Sequence, residues 1–314
     1  MNKTLKPLVR RSALFIPANR TDFMEKAWTR NADTIIIDLE DSIAPSEKES
    51  ARGFVEGSIA LAARGGADVM VRTNSEPELL EKDLEASVWP GIWGIGATKL
   101  ESAEQVKTAE EMISRLEQVR GIEKGSICIT AFIETAVGFL RAEEILKAGT
   151  RIRSLIFGTE DFVKDIGMDY TTGNMLYYPK MHFLILAKAF GLHCSGLMGR
   201  NTVFNDLDAL YQIAREAFQY GFNGSTCIHP SQVEIMNRAF SPSEENISRA
   251  REIVAVFEES IQQGHGAVKW NNTMLDKPIV ERAQELLNRV KVVEEKDAYK
   301  AKCIENTKKA LSMT

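Results

Sequence analysis

Cysteine is scarce in this chain of 314 residues, and Cys128, Cys194, Cys227 and Cys303 stand too far apart to form a CxxC pair. No His/Cys cluster at zinc spacing accompanies them, which excludes a disulfide-stapled scaffold and a structural zinc site. A reducing cytosol is the expected compartment. Long apolar runs are also missing: the N-terminal one, Ala13 to Pro17, is too short for a signal segment or a membrane span.

Positive charge is not in excess. Lys and Arg number 39 against 44 Asp and Glu, a net charge of −5, so the basic footprint of a nucleic-acid binder is absent. No predicted strand runs into a GxGxxG turn, which removes the open dinucleotide-binding sheet. Internal repeats and low-complexity segments are lacking too. With 44% hydrophobic residues the chain has material for a sizeable core, and general disorder is excluded.

What is present is alternation of short Ile/Val/Phe-rich runs with longer amphipathic stretches. Strands are predicted at Ala13–Ala18, Thr34–Asp41, Val69–Asn74, Ile95–Leu100, Ile127–Thr135, Ser154–Asp161, Cys194–Gly199 and Ser225–His229. Helices are predicted between them at Asp22–Arg30, Ser46–Arg64, Ala103–Val119, Phe139–Ala148, Tyr178–Phe190 and Leu207–Tyr220. This pattern predicts an α/β fold, a closed (β/α)8 TIM barrel over residues 1–240, as the catalytic domain. Beyond it, Ser243 starts a helical run that stops at Gly264, Gly266–Met274 reads as a hairpin around Asn271-Asn272, and Pro278 opens a helix to about Arg289. Residues 241–291 are thus expected to form a C-terminal extension, and the Lys/Glu-rich 292–314 a charged tail, a solvated or frayed helix.

Catalytic groups of such a barrel sit at the strand ends, on the face built from the βα loops. The second strand ends in Asp38-Leu39-Glu40-Asp41, the third in Arg72-Thr73-Asn74, the fourth in Lys99 and Glu101. The fifth ends in Glu134-Thr135, the sixth in Gly158-Thr159-Glu160-Asp161, and the eighth in His229-Pro230. Acids from three strand ends would repel one another unless a cation joined them. Mg²⁺ suits this set, with Glu134 and Asp161 as direct ligands and Asp38, Glu40 and Asp41 holding its waters. Any single acid is equally explained as a helix cap or a surface ion pair, but capping does not require acids on three strand ends around Arg72. Arg72 reads as a bidentate clamp for a carboxylate or an enolate oxygen, and a salt bridge to the neighbouring acids is compatible with that. His229 reads either as a base or, by preference, as a loop fastener. Cys128 and Cys227 read as small core residues, and His182 and His193 have no companion that marks them for chemistry.

The segments SALFIPANR (12–20), ADTIIIDLEDSIAP (32–45), VRTN (71–74), FIETAVG (132–138), GTEDF (158–162), CIHPSQVEI (227–235) and MLDKP (274–278) occur in order. As a set they resemble the citrate-lyase beta-subunit-like branch of the HpcH/HpaI aldolase superfamily, which includes malyl-CoA and citramalyl-CoA lyases. The resemblance spans about Arg11 to about Arg289. It implies a Mg²⁺-dependent barrel that makes or breaks a carbon–carbon bond between a CoA thioester enolate and a 2-oxo acid such as glyoxylate or pyruvate. Its metal ligands fall on Glu134 and Asp161, its substrate arginine on Arg72, and its DLED acids on Asp38, Glu40 and Asp41. A catalytic aspartate in the segment that covers a neighbouring subunit's barrel falls on Asp276, and a thioester-associated arginine on Arg20. Lys99 is placed with Arg20 and Arg72 among the substrate-binding cations. A homo-oligomer, a trimer or a dimer of trimers, is the corresponding expectation.

This chain departs from the resemblance in three loops: Ala97-Thr98-Lys99 lacks a proline, NMLYYPK (174–180) offers Lys180 as its only basic residue, and GLMGRNTVFN (196–205) adds Arg200. Alternatives to the lyase are a thioesterase or malate-synthase-like enzyme on the same thioesters, a citryl-carrier lyase subunit, an aldolase for free 2-oxo acids, and a non-catalytic subunit. The MLDKP segment disfavours the free-acid aldolase, and the intact Glu134, Asp161, Arg72 and Asp276 disfavour the non-catalytic subunit.

Overall fold

The computed structural model describes residues 8–169, 173–200, 202, 205–271 and 273–312. The chain divides into two compact units, one of Arg10–Phe240 with Lys300–Thr314, the other of Ser241–Tyr299 with the residues up to Val9.

In the first unit the chain alternates strands and helices from β1 (Ser12–Pro17) and α1 (Thr21–Met24) onward. β2 (Thr34–Asp38) leads to α2 (Lys48–Arg52) and α3 (Val55–Ala63), β3 (Asp68–Thr73) to α4 (Pro77–Ser87), and β4 (Gly94–Ala97) to α5 (Ala103–Val119). β5 (Cys128–Ile133) is followed by α6 (Ala136–Leu140) and α7 (Ala142–Ala148), and β6 (Ile152–Phe157) by α8 (Thr159–Asp165) and α9 (Tyr177–Ala189). β7 (His193–Ser195), α10 (Leu207–Tyr220), β8 (Ser225–Cys227) and α11 (Ser231–Ala239) complete the series. The strands are parallel in the order β7-β6-β5-β4-β3-β2-β1-β8. A parallel bridge between Ser195 and Gly224 closes the ring, supported by the Gly196 amide donating to the Gly224 carbonyl at 2.9 Å. The predicted TIM-type barrel is therefore the observed fold.

Both faces of the strands are buried, which is why they read as near-continuous apolar runs. Leu14, Ile35, Ile37, Val69, Val71, Ile129 and Leu155 join the core beneath the helices. The alternate residues Ala13, Ile36, Met70, Phe132 and Ile156 fill the barrel interior, with Phe15 and Trp93 packed against them. The period of two then dictates what stands above this plug: Asp38, Arg72, Glu134 and Gly158 each lie two residues beyond an interior side chain.

Several element ends differ from expectation for local reasons. The second strand stops at Asp38 instead of Asp41, because the Asp38 carboxylate accepts the Glu40 and Ser42 amides (3.0 and 3.3 Å) and turns the chain. The sixth stops at Phe157, and Glu160 and Asp161 ride on the first turn of α8. The single helix expected at Ser46–Arg64 is broken at Gly53-Phe54, whereas α5 starts where predicted, at a Ser102/Gln105 capping box.

The second unit contains α12 (Glu244–Gln262), capped by Ser243, and an antiparallel hairpin of β9 (Val268–Trp270) and β10 (Thr273–Leu275). Helix α13 (Lys277–Leu311) starts here, and its Val280 and Ala283 pack with Ala250, Ile253 and Leu275. The expected break between a helix ending near Arg289 and a separate solvated tail is corrected: α13 is one helix of 35 residues. Within the barrel unit its Lys300 is fully buried, donating to Asp33 Oδ1 at 2.6 Å and to the Asn31 carbonyl at 2.9 Å. Among the described residues no helix is long and apolar enough to cross a membrane.

Candidate active site

The layer above the apolar plug opens into a cleft of about 460 Å³ at the C-terminal ends of the strands. Asp38, Asp41, Arg72, Glu134, Glu160 and Asp161 line it, above a floor of Phe15, Phe132 and Ile156. Register sets the first contact, since Asp38 on β2 faces Arg72 on β3. Arg72 Nε and Nη2 each donate to the Asp38 carboxylate at 2.7 Å. Its remaining nitrogen, Nη1, lies 2.9 Å from Glu40 Oε2 and 3.5 Å from Asp41. The Glu40 contact is an ion pair without the alignment of a hydrogen bond, and Oε2 is a buried acceptor with no hydrogen-bond donor. Lys99 Nζ reaches Glu40 Oε1 at 2.5 Å.

Electrostatics follows from this packing. Burial alone would raise the Asp38 carboxyl and lower the Arg72 guanidinium; their mutual hydrogen bonds outweigh it, holding Asp38 below and Arg72 above the ordinary value. Burial likewise works against the Lys99 ammonium, yet Glu40 and Asp41 raise it. Glu134 behaves oppositely. It is 3% exposed, and burial, reinforced by Glu40 and Asp161, pushes its carboxyl up to about 8.

Two backbone features seat Glu134. Lys99 adopts a left-handed conformation (φ 47°) that points its amide at Glu134 Oε2, 3.0 Å away. Gly158 leaves free the space over which the Glu134 side chain lies, where a Cβ would collide with Glu134 Cγ and Oε1. Neither Glu134 nor Asp161 forms an ion pair among the described residues, although every cationic side chain at the cleft has a carboxylate partner. A buried carboxyl repelled by its neighbours, in a cradle cleared by a glycine, fits a bound cation. Glu134 and Asp161 offer two carboxylates, and among the described residues no group of three or more His, Cys, Asp or Glu stands together as a metal cluster; Mg²⁺ can be held by two carboxylates with waters completing its shell.

The structure brings Asp38, Glu40, Asp41, Arg72, Lys99, Glu134 and Asp161 to one end of the barrel. Arg20 stands apart from the cleft walls: its guanidinium pairs with Asp22 (2.8 and 2.9 Å) and lies 3.6 Å over the Phe23 ring. Asp276 belongs to the other unit, where it is exposed and its carboxylate accepts the Ile279 amide (3.4 Å) at the start of α13. His229 fastens the start of α11, its Nδ1 accepting the Ser231 amide at 3.2 Å and lying 2.7 Å from Ser231 Oγ. Cys227 is buried with its thiol pushed up, and Cys128 is half-buried.

Other contributors were not legible in the sequence. Lys48 donates to the Leu39 and Glu40 carbonyls and to Asn74 Oδ1 (3.1, 3.0 and 2.6 Å), stapling the acidic loop to the end of β3. Nothing in its neighbourhood announces this. Ser195, Ser225 and Thr226 also line the cleft; Ser225 and Thr226 are neighbours on β8, so strand alternation could have pointed to only one of them.

A sequence profile of the family described as HpcH/HpaI aldolase/citrate lyase matches residues 11–230. The chain is 32% identical over 284 residues to citrate lyase subunit beta of Leuconostoc mesenteroides subsp. cremoris, covering 89% of this chain and 92% of that protein. It is 31% identical over 303 residues to mitochondrial citramalyl-CoA lyase of Homo sapiens, covering 93% and 88%. The crystal structure of protein CitE from Mycobacterium tuberculosis in complex with magnesium, acetoacetate and coenzyme A matches with a TM-score of 0.70 at 28% identity, covering 89% of this chain and 97% of that one.

Proposed function

The chain belongs to the HpcH/HpaI aldolase/citrate lyase family, and from that premise we propose that it is a Mg²⁺-dependent carbon–carbon lyase. Its substrate would be a 3-hydroxy-3-carboxyacyl-CoA of the malyl-CoA or citramalyl-CoA type, its products an acyl-CoA and a 2-oxo acid. The observation that carries this reading is the placement of buried Glu134 with Asp161 and Arg72 around one cleft. The relatives named for citramalyl-CoA and citrate, and the magnesium and coenzyme A bound to CitE, support it.

Glu134 and Asp161 would hold the cation, which supplies Lewis-acid polarisation of the hydroxy-acid oxygens. Arg72, fixed by Asp38 and Glu40, presents a cation that need not reorganise as negative charge develops on the substrate carboxylate or the enolate oxygen. In cleavage the substrate hydroxyl would give its proton to solvent water, the bond to the thioester α-carbon would break, and that carbon would then take up a proton. Asp276 of a neighbouring subunit would deliver this last proton, in a trimer or a dimer of trimers. Its exposure within its own unit is compatible with that role. The chemistry needs no covalent enzyme intermediate.

The test is incubation of the purified protein and Mg²⁺ with malyl-CoA, citramalyl-CoA and a citryl thioester, resolving products by mass. A 2-oxo acid with an acyl-CoA supports the lyase; free CoA without a 2-oxo acid makes it a thioesterase; turnover of the citryl thioester alone makes it a citrate-lyase-type subunit.

A further inference from the structure

Lys180 on α9 is among the largest fully buried side chains, 2% exposed. Burial pushes its ammonium down to about 8, although Glu160 and Glu216 act to raise it. Burying an ammonium costs free energy that an apolar side chain of similar length avoids, so its position calls for a reason. Phe183, one turn further on α9, lies 5.1 Å from Phe157 of β6 and fixes the helix on the barrel.

The Lys180 ammonium donates to the Gly199 carbonyl at 3.2 Å. Gly199 lines the cleft, and its backbone presses on α10 so closely that a Cβ would sit 2.9 Å from Ile213 Cδ1. The next residue, Arg200, pairs with both oxygens of Glu160 (2.9 and 2.5 Å), which also lines the cleft beside Asp161. β7 ends at Ser195, so Gly196, Leu197 and Gly199 wall the cleft from a loop beyond the strand. Loops that lack ladder bonds are drawn from the least stable parts of a fold unless side chains tie them down.

We propose that Lys180 is a positioning residue: through the Gly199 carbonyl it holds the loop after β7 as a wall of the cleft, and so sets the fit of the acyl part of the substrate. The substrate effect rests on the lyase reading above; the hold on the loop does not.

The test compares full-length wild type, Lys180→Met and Lys180→Arg by hydrogen–deuterium exchange, Mn²⁺ titration and steady-state kinetics with the best thioester. In Lys180→Met, amides 196–200 are expected to exchange at least about ten-fold faster, with exchange elsewhere unchanged. KM for the thioester should rise about five- to ten-fold with kcat within about two-fold, the pattern of lost uniform binding. Mn²⁺ affinity should be unchanged, and Lys180→Arg should recover part of both effects. Unchanged exchange at 196–200 overturns the proposal, as does a kcat loss with weakened Mn²⁺ binding, which would assign Lys180 to the metal site instead. If exchange rises but wild type cleaves no thioester, the hold on the loop stands and the lyase reading fails.

Discussion

Asp38 and Arg72 are register partners on adjacent strands, and the guanidinium meets the carboxylate through two parallel hydrogen bonds of 2.7 Å. This pairing uses one edge of the fork and leaves Nη1 with Glu40 and Asp41 at the cleft. Lysine keeps the charge but cannot make the bidentate contact. Arg72→Lys is therefore expected to lower kcat/KM about 10²–10³-fold, the cost of one oriented electrostatic contact to developing charge. Steady-state kinetics beside a thermal melt checks it; activity near wild type would remove the oriented fork from the mechanism.

The Glu134 carboxyl is held at about 8 against an ordinary 4.5, so without metal the folded protein keeps a proton that the unfolded chain releases. Stability of the metal-free protein is then lost as pH rises from about 4.5 through about 8. Glu134→Gln should flatten that slope and melt above wild type at pH ~8 without metal, while losing Mn²⁺ binding. Wild type alone should gain stability when Mg²⁺ is added. Melting curves with and without the ion measure both effects.

Gly158 owes its place to the Glu134 side chain, not to its backbone angles, since its φ of −77° suits any residue. Gly158→Ala should displace the carboxylate, lower Mn²⁺ affinity about ten-fold or more, and destabilise by about 1–3 kcal/mol through overpacking. Titration calorimetry on the folded variant decides; unchanged affinity would mean that Glu134 has room to shift and still bind.

Asp33 binds Arg11 through both carboxylate oxygens (2.8 and 2.9 Å) as well as Lys300. Burial alone would raise its carboxyl, but these cations bring it down to about 2 from 3.8. This contribution is present above about 3.8 and is lost as pH falls towards 2. Lys300→Met should cost about 1.5–3 kcal/mol as charge-assisted hydrogen bonds are removed. Asp33→Asn strands two buried cations and should cost more, about 3–5 kcal/mol. Urea melts at pH ~7 compare the two, and acid titration of Lys300→Met should show unfolding at higher pH than wild type.

Much of this was legible because the barrel strands are buried on both faces: runs such as Ile35-Ile36-Ile37 read as strands, and the period of two carries Asp38, Arg72 and Glu134 to one layer. The strand ends were less so, because the Asp38 turn is made by side-chain acceptance of amides that no periodicity encodes. Lys300 was misread because a buried lysine looks like a surface one until its partner is known, and Asp33 lies 267 positions away. Lys48 and Gly158 act through close approach to the ends of neighbouring strands, information that exists only once those strands pair.

We propose cation-dependent cleavage of a carbon–carbon bond at Glu134 and Asp161. Its most direct measurement is product analysis of the wild type and Asp161→Asn on citramalyl-CoA and malyl-CoA, with Mg²⁺ and with excess chelator. A 2-oxo acid and an acyl-CoA formed in equal amounts, with Mg²⁺ only and by the wild type only, is the predicted result. Cleavage that persists in chelator or in Asp161→Asn, or no 2-oxo acid from either thioester, would contradict it.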